Sequence, residues 1–123
     1  MGGISPSPFH SLFELSETEI RDVLARALRA LEHGKQLILV SHSPPFNTKV
    51  DITHVQIHAG SQALKDFIKA EKPSLALCGY IHEARGIDTL SGSLIINPGP
   101  ARRGAYAIVN IDGGISAKLG ILE

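Results

Sequence analysis

Two short apolar runs, Leu37-Ile38-Leu39-Val40 and Leu75-Ala76-Leu77-Cys78, stand out from the more polar sequence around them. Runs of this length between polar and turn-forming residues predict buried strands. Each delivers a histidine a few residues past its carboxyl end: His42 within Ser41-His42-Ser43-Pro44-Pro45, and His82 after Gly79-Tyr80-Ile81. In open α/β sheets that edge is where ligands bind and where loops carry chemistry.

Helical periodicity lies between and before these runs. Ser16 and Glu19 form the S-x-x-E pattern of a capping box, in which each side chain satisfies an orphan backbone N–H. Ile20, Val23, Leu24, Ala27, Leu28 and Leu31 follow at helical spacing, His33 in the last turn complements the helix dipole, and Gly34 predicts the stop. A second helix is expected from Gly60-Ser61, packing through Ala63, Leu64, Phe67 and Ile68 and ending before Pro73. Residues 1–13, with Gly2, Gly3, Pro6 and Pro8, read as an irregular lead-in carrying a solvated His10. Residues 41–59 read as a long loop that concentrates His42, His54 and His58; loops of this length are usually functional or mobile. Beyond His82, residues 86–90, 93–97, 105–111 and 115–122 are strand-like, separated by Ser91-Gly92, Pro98-Gly99-Pro100 and Asp112-Gly113-Gly114. They predict a β-meander.

The composition adds mainly exclusions. A chain of 123 residues with 43% hydrophobic and 20% charged residues is expected to be one domain, 1–123. Lys+Arg and Asp+Glu balance at 12 each, so no basic field advertises nucleic acid or an anionic membrane. The single cysteine, Cys78, excludes an intrachain disulfide and reads as a buried structural thiol. No apolar stretch is long enough to span a membrane and the start lacks a signal-peptide pattern, so a cytoplasmic setting is the default expectation.

Histidines at strand ends are metal-ligand candidates, because neutral imidazole offers a lone pair and loops can converge it on one point. Spacing does not settle the matter. His54 and His58 are four apart, but the loop composition and Gly60 argue against a shared helical face. C-x-x-C, H-E-x-x-H, G-x-S-x-G and a Gly-rich phosphate cradle are all absent.

Four segments in order carry a resemblance: Val40-Ser41-His42-Ser43-Pro44-Pro45, His58-Ala59-Gly60-Ser61, Leu77-Cys78-Gly79-Tyr80-Ile81-His82-Glu83-Ala84-Arg85-Gly86, and Asn97-Pro98-Gly99-Pro100. Over roughly residues 36–112 the chain resembles the carboxyl-terminal half of calcineurin-like metallophosphoesterases. The resemblance implies an α/β fold: half of a two-sheet β-sandwich flanked by helices, with a mixed sheet. It implies hydrolysis of phosphomonoesters or phosphodiesters at a centre of divalent metal, manganese first, with zinc, iron or nickel as alternatives. In such centres the metals polarise phosphoryl oxygens and lower the pKa of a bound water. Carried over residue by residue, His42 and His82 are metal ligands and His58 is a catalytic candidate. Asn97, Arg85 and Tyr80 are substrate-contact candidates, with Arg102 and Arg103 as further phosphate contacts.

The chain departs from the family pattern in two places. The family's glycine-His-x-His is Gly79-Tyr80-Ile81-His82 here, and tyrosine, with a reference pKa of ~10, is a poor metal ligand unless ionised. The amino-terminal motifs Asp-x-His, Gly-Asp and Gly-Asn-His-Asp/Glu do not occur; Asp22, Asp51, Asp66, Asp88 and Asp112 match none of them. Without a bridging carboxylate two divalent cations repel each other, so this chain alone is not expected to hold a two-metal centre. Half of a two-sheet fold also leaves strand faces, such as Leu94-Ile95-Ile96 and Ala107 to Ile111, without cover. A partner is therefore expected, either a second copy or an amino-terminal phosphoesterase half. The competing expectation is a non-catalytic interaction module on a degenerate phosphoesterase fold.

Overall fold

The computed structural model describes residues 15–31 and 36–122. The lead-in with His10, and His33 and Gly34 at the expected helix stop, lie outside the described residues. Helix α1 (Glu17–Arg29) starts where the capping box requires. Ser16 N–H donates to Glu19 Oε1 at 3.0 Å and Glu19 N–H to Ser16 Oγ at 3.1 Å. Such caps are worth ~1 kcal/mol. Its buried residues are Ile20 and Leu24, whereas Leu31 is exposed.

Strand β1 (Ile38–Val40), helix α2 (Gln62–Glu71) and strand β2 (Leu75–Leu77) form a parallel crossover unit. Ser61 caps α2 by accepting from Leu64 N–H, and Lys72 ends it at φ 49, ahead of the buried Pro73. Helix α1 reinforces that start: the Glu17 carboxylate accepts from Ser61 Oγ at 2.7 Å and Gln62 N–H at 2.7 Å. One helix thereby anchors the orphan donors of the next.

The four later strands form at the expected places and run as two antiparallel hairpins, one in each sheet. Strands β3 (Gly86–Leu90) and β4 (Ser93–Asn97) pair with each other, and β4 also lies parallel to β2, giving a mixed sheet of order β1-β2-β4-β3. Ser91 (φ 51) and Gly92 (φ 86) close that hairpin with both turn residues left-handed, as a two-residue type I′ loop demands. Strands β5 (Ala105–Asn110) and β6 (Ser116–Ile121) make a separate two-stranded sheet. There Tyr106 lies against Gly120, where a Cβ would collide with its ring.

Leu39, Ala76 and Ile95 stand in register across β1, β2 and β4 and join Ile20, Leu24, Leu64 and Ile68 of the helices in one core. Cys78 closes the same core. Burial, and then the charge of Asp51, push its thiol up to about 12, so it is an inert structural group.

The uncovered surfaces differ in part from expectation. Ile95 and Ile96 are fully buried: β4 is a central strand, and Ile95 stands in the core formed with Leu24, Leu64 and Ile68 of the helices. Exposure falls instead on the edge strand β1, at Ile38 and Val40, and on Ile108 and Ile111 in and after β5. No helix among the described residues is long and apolar enough to cross a membrane.

Candidate functional site

The loops after β1 and β2 leave the sheet side by side because hydrogen bonding continues past the strand ends. Ser41 N–H donates to the Leu77 carbonyl at 2.9 Å, and Gly79 N–H donates to the His42 carbonyl at 3.0 Å. This places His42, exposed, against Tyr80, with ring centroids 5.0 Å apart and tilted by 48°. Tyr80 has φ 65, and Ile81 N–H returns to the Gly79 carbonyl at 2.7 Å, the hydrogen bond of a γ-turn. A non-glycine residue in that conformation is costly and is retained where its surroundings hold it. His82 follows at the first position of a short 3₁₀ turn, His82–Ala84, with its side chain exposed.

Asn97 anchors this turn from below. Its side chain is fully buried, and its amide donates to the Ile81 carbonyl at 2.8 Å and the Ala84 carbonyl at 3.2 Å, bracketing His82. It also reaches the Val50 carbonyl at 3.4 Å, while its own carbonyl accepts from Gly99 N–H at 3.1 Å. In this structure its polar atoms meet backbone, which is the arrangement of a positioning residue. Arg85 is similar: Nε donates to the Pro98 carbonyl at 3.0 Å and Nη2 to the Gly120 carbonyl at 3.1 Å, clasping the two sheets together. Arg102 and Arg103 are exposed on the 3₁₀ turn Ala101–Arg103 that leads to β5.

The 41–59 loop is organised by a buried carboxylate that no side-chain pattern in the sequence announces. Asp51 is fully buried and accepts hydrogen bonds from Asn47, Thr48 and Gly60 N–H groups, and it meets His58 Nδ1 at 2.6 Å. His58 is half-buried and presents its ring edge-on to Phe46, centroids 6.0 Å apart. His54 sits within a tight turn, in which Thr53 N–H donates to the Ile57 carbonyl at 2.9 Å and Gln56 N–H to the Thr53 carbonyl at 3.0 Å, and His58 lies just beyond it, so they share no helix face. The turn approaches His82 through Glu83, whose carboxylate accepts from His54 N–H at 3.2 Å. Hydrogen bonds from its own backbone N–H and from that of His54 hold Glu83 below the usual carboxylate range.

His42 and Tyr80 are thus brought into contact, His82 lies two residues beyond Tyr80, and His58 is fixed on the neighbouring loop. Among the described residues no three His, Cys, Asp or Glu side chains come together as a metal-holding group. The donors gathered here do not by themselves fit a metal centre.

A family model for metallophosphoesterases of the calcineurin superfamily matches residues 18–117. An uncharacterized protein of Methanocaldococcus jannaschii is 36% identical over 104 residues, which cover 81% of this chain and 46% of that protein. One crystal structure superposes with a TM-score of 0.78 at 23% identity, covering 99% of this chain and 47% of the other. A second, of a Thermus thermophilus protein, superposes with a TM-score of 0.65 at 20% identity, covering 98% and 51%. At such identities the solved structures speak for the fold alone. The chain spans about half the length of the relatives it matches.

Proposed function

This chain belongs to the calcineurin superfamily of metallophosphoesterases, and we propose that it works as the carboxyl-terminal part of a hydrolase of phosphomonoesters or phosphodiesters. The observation that carries this reading is the pair of loops that set His42 beside Tyr80, with His82 two residues farther on, past the ends of β1 and β2. In this reading His42 and His82 are this chain's donors to a divalent-metal site, manganese first and zinc, iron or nickel as alternatives. The carboxylates come from a second copy or from an amino-terminal phosphoesterase half. His58 is the catalytic candidate, Tyr80 meets the phosphate ester, and Asn97 and Arg85, whose donors are held by backbone carbonyls, fix the His82 turn and the adjoining sheets under them. A cytoplasmic enzyme is the working assumption.

The test is calorimetric titration of the chain with manganese and zinc, with and without the amino-terminal half of a relative. Hydrolysis of an aryl phosphodiester is read on the same samples. The reading expects metal binding and turnover in the completed protein, both lost in His82→Ala. Turnover that survives His42→Ala and His82→Ala together would sink it.

A non-catalytic interaction module is the second reading, and one observation favours it. Tyr80 stands where the family places a histidine, and a position no longer under chemical demand can lose a ligand. That reading expects stable complex formation with no turnover at any metal concentration.

A further inference from the structure

We infer that Asp51 is the positioning residue of His58: it holds the imidazole in the tautomer with its proton on Nδ1, so that Nε2 is offered as a proton acceptor. This deepens the reading above, and rests on it only for what Nε2 meets at the site.

The carboxylate lies fully buried in the loop between β1 and α2. Its Oδ2 accepts from Asn47 N–H at 2.8 Å and Gly60 N–H at 3.0 Å, and its Oδ1 accepts from Thr48 N–H at 2.9 Å. Three backbone donors, which cannot reverse their polarity, therefore converge on an acceptor-only group. The remaining contact, Oδ1 to His58 Nδ1 at 2.6 Å, is favourable only if the ring nitrogen is also a donor. A neutral imidazole that donates from Nδ1 carries its lone pair on Nε2. No other hydrogen bond from this ring occurs among the described residues, and the side chain is 32% exposed. Phe46 restrains the ring plane from the side. Ala59 N–H donates to the Asp51 carbonyl at 3.0 Å, so backbone and side chain hold the two residues together.

The chemistry of the group that meets Nε2 follows. A lone pair recruits a donor, a water molecule or a hydroxyl group. It does not recruit a bare phosphoryl oxygen, which needs a donor itself. The geometry separates His58 in this way from the arginines, which are donors only.

Substituting Asp51→Asn makes the inference testable, because the side-chain amide has two possible orientations. With NH2 in the Oδ2 position it would oppose two backbone donors, Asn47 and Gly60. In the Oδ1 position it opposes only Thr48, and it then faces His58 Nδ1 as a donor. The orientation with fewer conflicts turns Nδ1 into an acceptor and moves the ring proton to Nε2.

The experiment is nitrogen NMR of the histidine rings in the full chain and in Asp51→Asn, with His58 assigned through His58→Gln. It is run as a pH series, and the tautomer is read on the plateau above the last pH-dependent change in the ring-nitrogen shifts. The expected result is one tautomer for His58 in the native protein, protonated at Nδ1, and the opposite tautomer in Asp51→Asn. A mixture, or protonation at Nε2, in the native protein overturns the inference. So does an unchanged tautomer in a folded Asp51→Asn. Should that variant not fold, the native measurement decides alone. Ester hydrolysis is not part of the readout, so failure of the phosphoesterase reading and failure of this inference remain separate results.

Discussion

Replacing Asn97 with alanine isolates one buried amide that joins three loops. The substitution removes donors to the Ile81 and Ala84 carbonyls at 2.8 and 3.2 Å and an acceptor for Gly99 N–H at 3.1 Å. The bond to the Val50 carbonyl is long at 3.4 Å and weighs little. A net hydrogen bond contributes about 1 kcal/mol, and a buried partner left unsatisfied costs about 1–3 kcal/mol. His82 and Glu83 are exposed, so water can reach part of this turn and the lower end of that range applies. Three bonds at this rate give a loss of about 3 kcal/mol, a large share of the roughly 5–15 kcal/mol that stabilises a domain. Urea unfolding followed by circular dichroism would show it as a midpoint lowered by about 2 M, for a slope of about 1.5 kcal/mol per M. Asn97→Asp is the sharper comparison. It keeps the acceptor for Gly99 but turns a carboxylate oxygen toward the two carbonyls, so it is expected to destabilise at least as much as alanine. A loss below about 1 kcal/mol for Asn97→Ala, or a wild-type midpoint for Asn97→Asp, would refute the anchoring role.

Two further perturbations read the same scaffold. A Cβ on Gly60 would lie 2.6 Å from the Pro45 carbonyl oxygen and 2.7 Å from that of Pro44, both rigid backbone atoms. Gly60→Ala is therefore expected to cost about 1–3 kcal/mol and to loosen the Asp51 hydrogen bonds, seen as faster amide exchange at Gly60 and Thr48. Cys78, pushed up to about 12 by burial and the Asp51 charge, is expected to resist iodoacetamide at pH 8 in the native protein and to react once urea is added. Native-state alkylation at the rate of a free thiol, followed by mass spectrometry, would contradict the burial.

What was legible in the sequence was local. Ser16 with Glu19, Ser61 ahead of an apolar period, Pro73 and Ser91-Gly92 each act within a few residues, and the elements they delimit form there. The order of strands was not local. That β4 lies between β2 and β3 depends on a parallel pairing whose partners, Leu75 to Leu77 and Leu94 to Ile96, are separated in the chain by the His82 turn and strand β3. The burial of Ile95 and Ile96 on a central strand, and the exposure of Ile38 and Val40 on the edge strand, depend on that order together with the helices that cover Leu39 and Ile95 on one face. Asp51 escaped for a different reason. Three of its four partners are backbone N–H groups, which every residue carries, so no pattern of side chains in the loop announces it.

The candidate site divides its work between two kinds of residue, and the division has a consequence for how its variants fail. His42 and His82 are exposed and lie on irregular backbone, where their side chains contribute little to packing. Their loops do not drift, because extended strand pairing carries His42, Asn97 brackets His82, and Asp51 gathers the loop that carries His58. Those two anchors are fully buried and meet mostly backbone, so truncating either strips several backbone groups of a hydrogen-bond partner at once. Alteration of His42 or His82 should accordingly remove ligand binding with stability nearly intact. Alteration of Asn97 or Asp51 should lower stability first and distort the site as a result. A histidine variant that unfolds the chain as readily as Asn97→Ala would mean that the exposed rings are part of the scaffold, and that the surface they present is not free to meet a ligand.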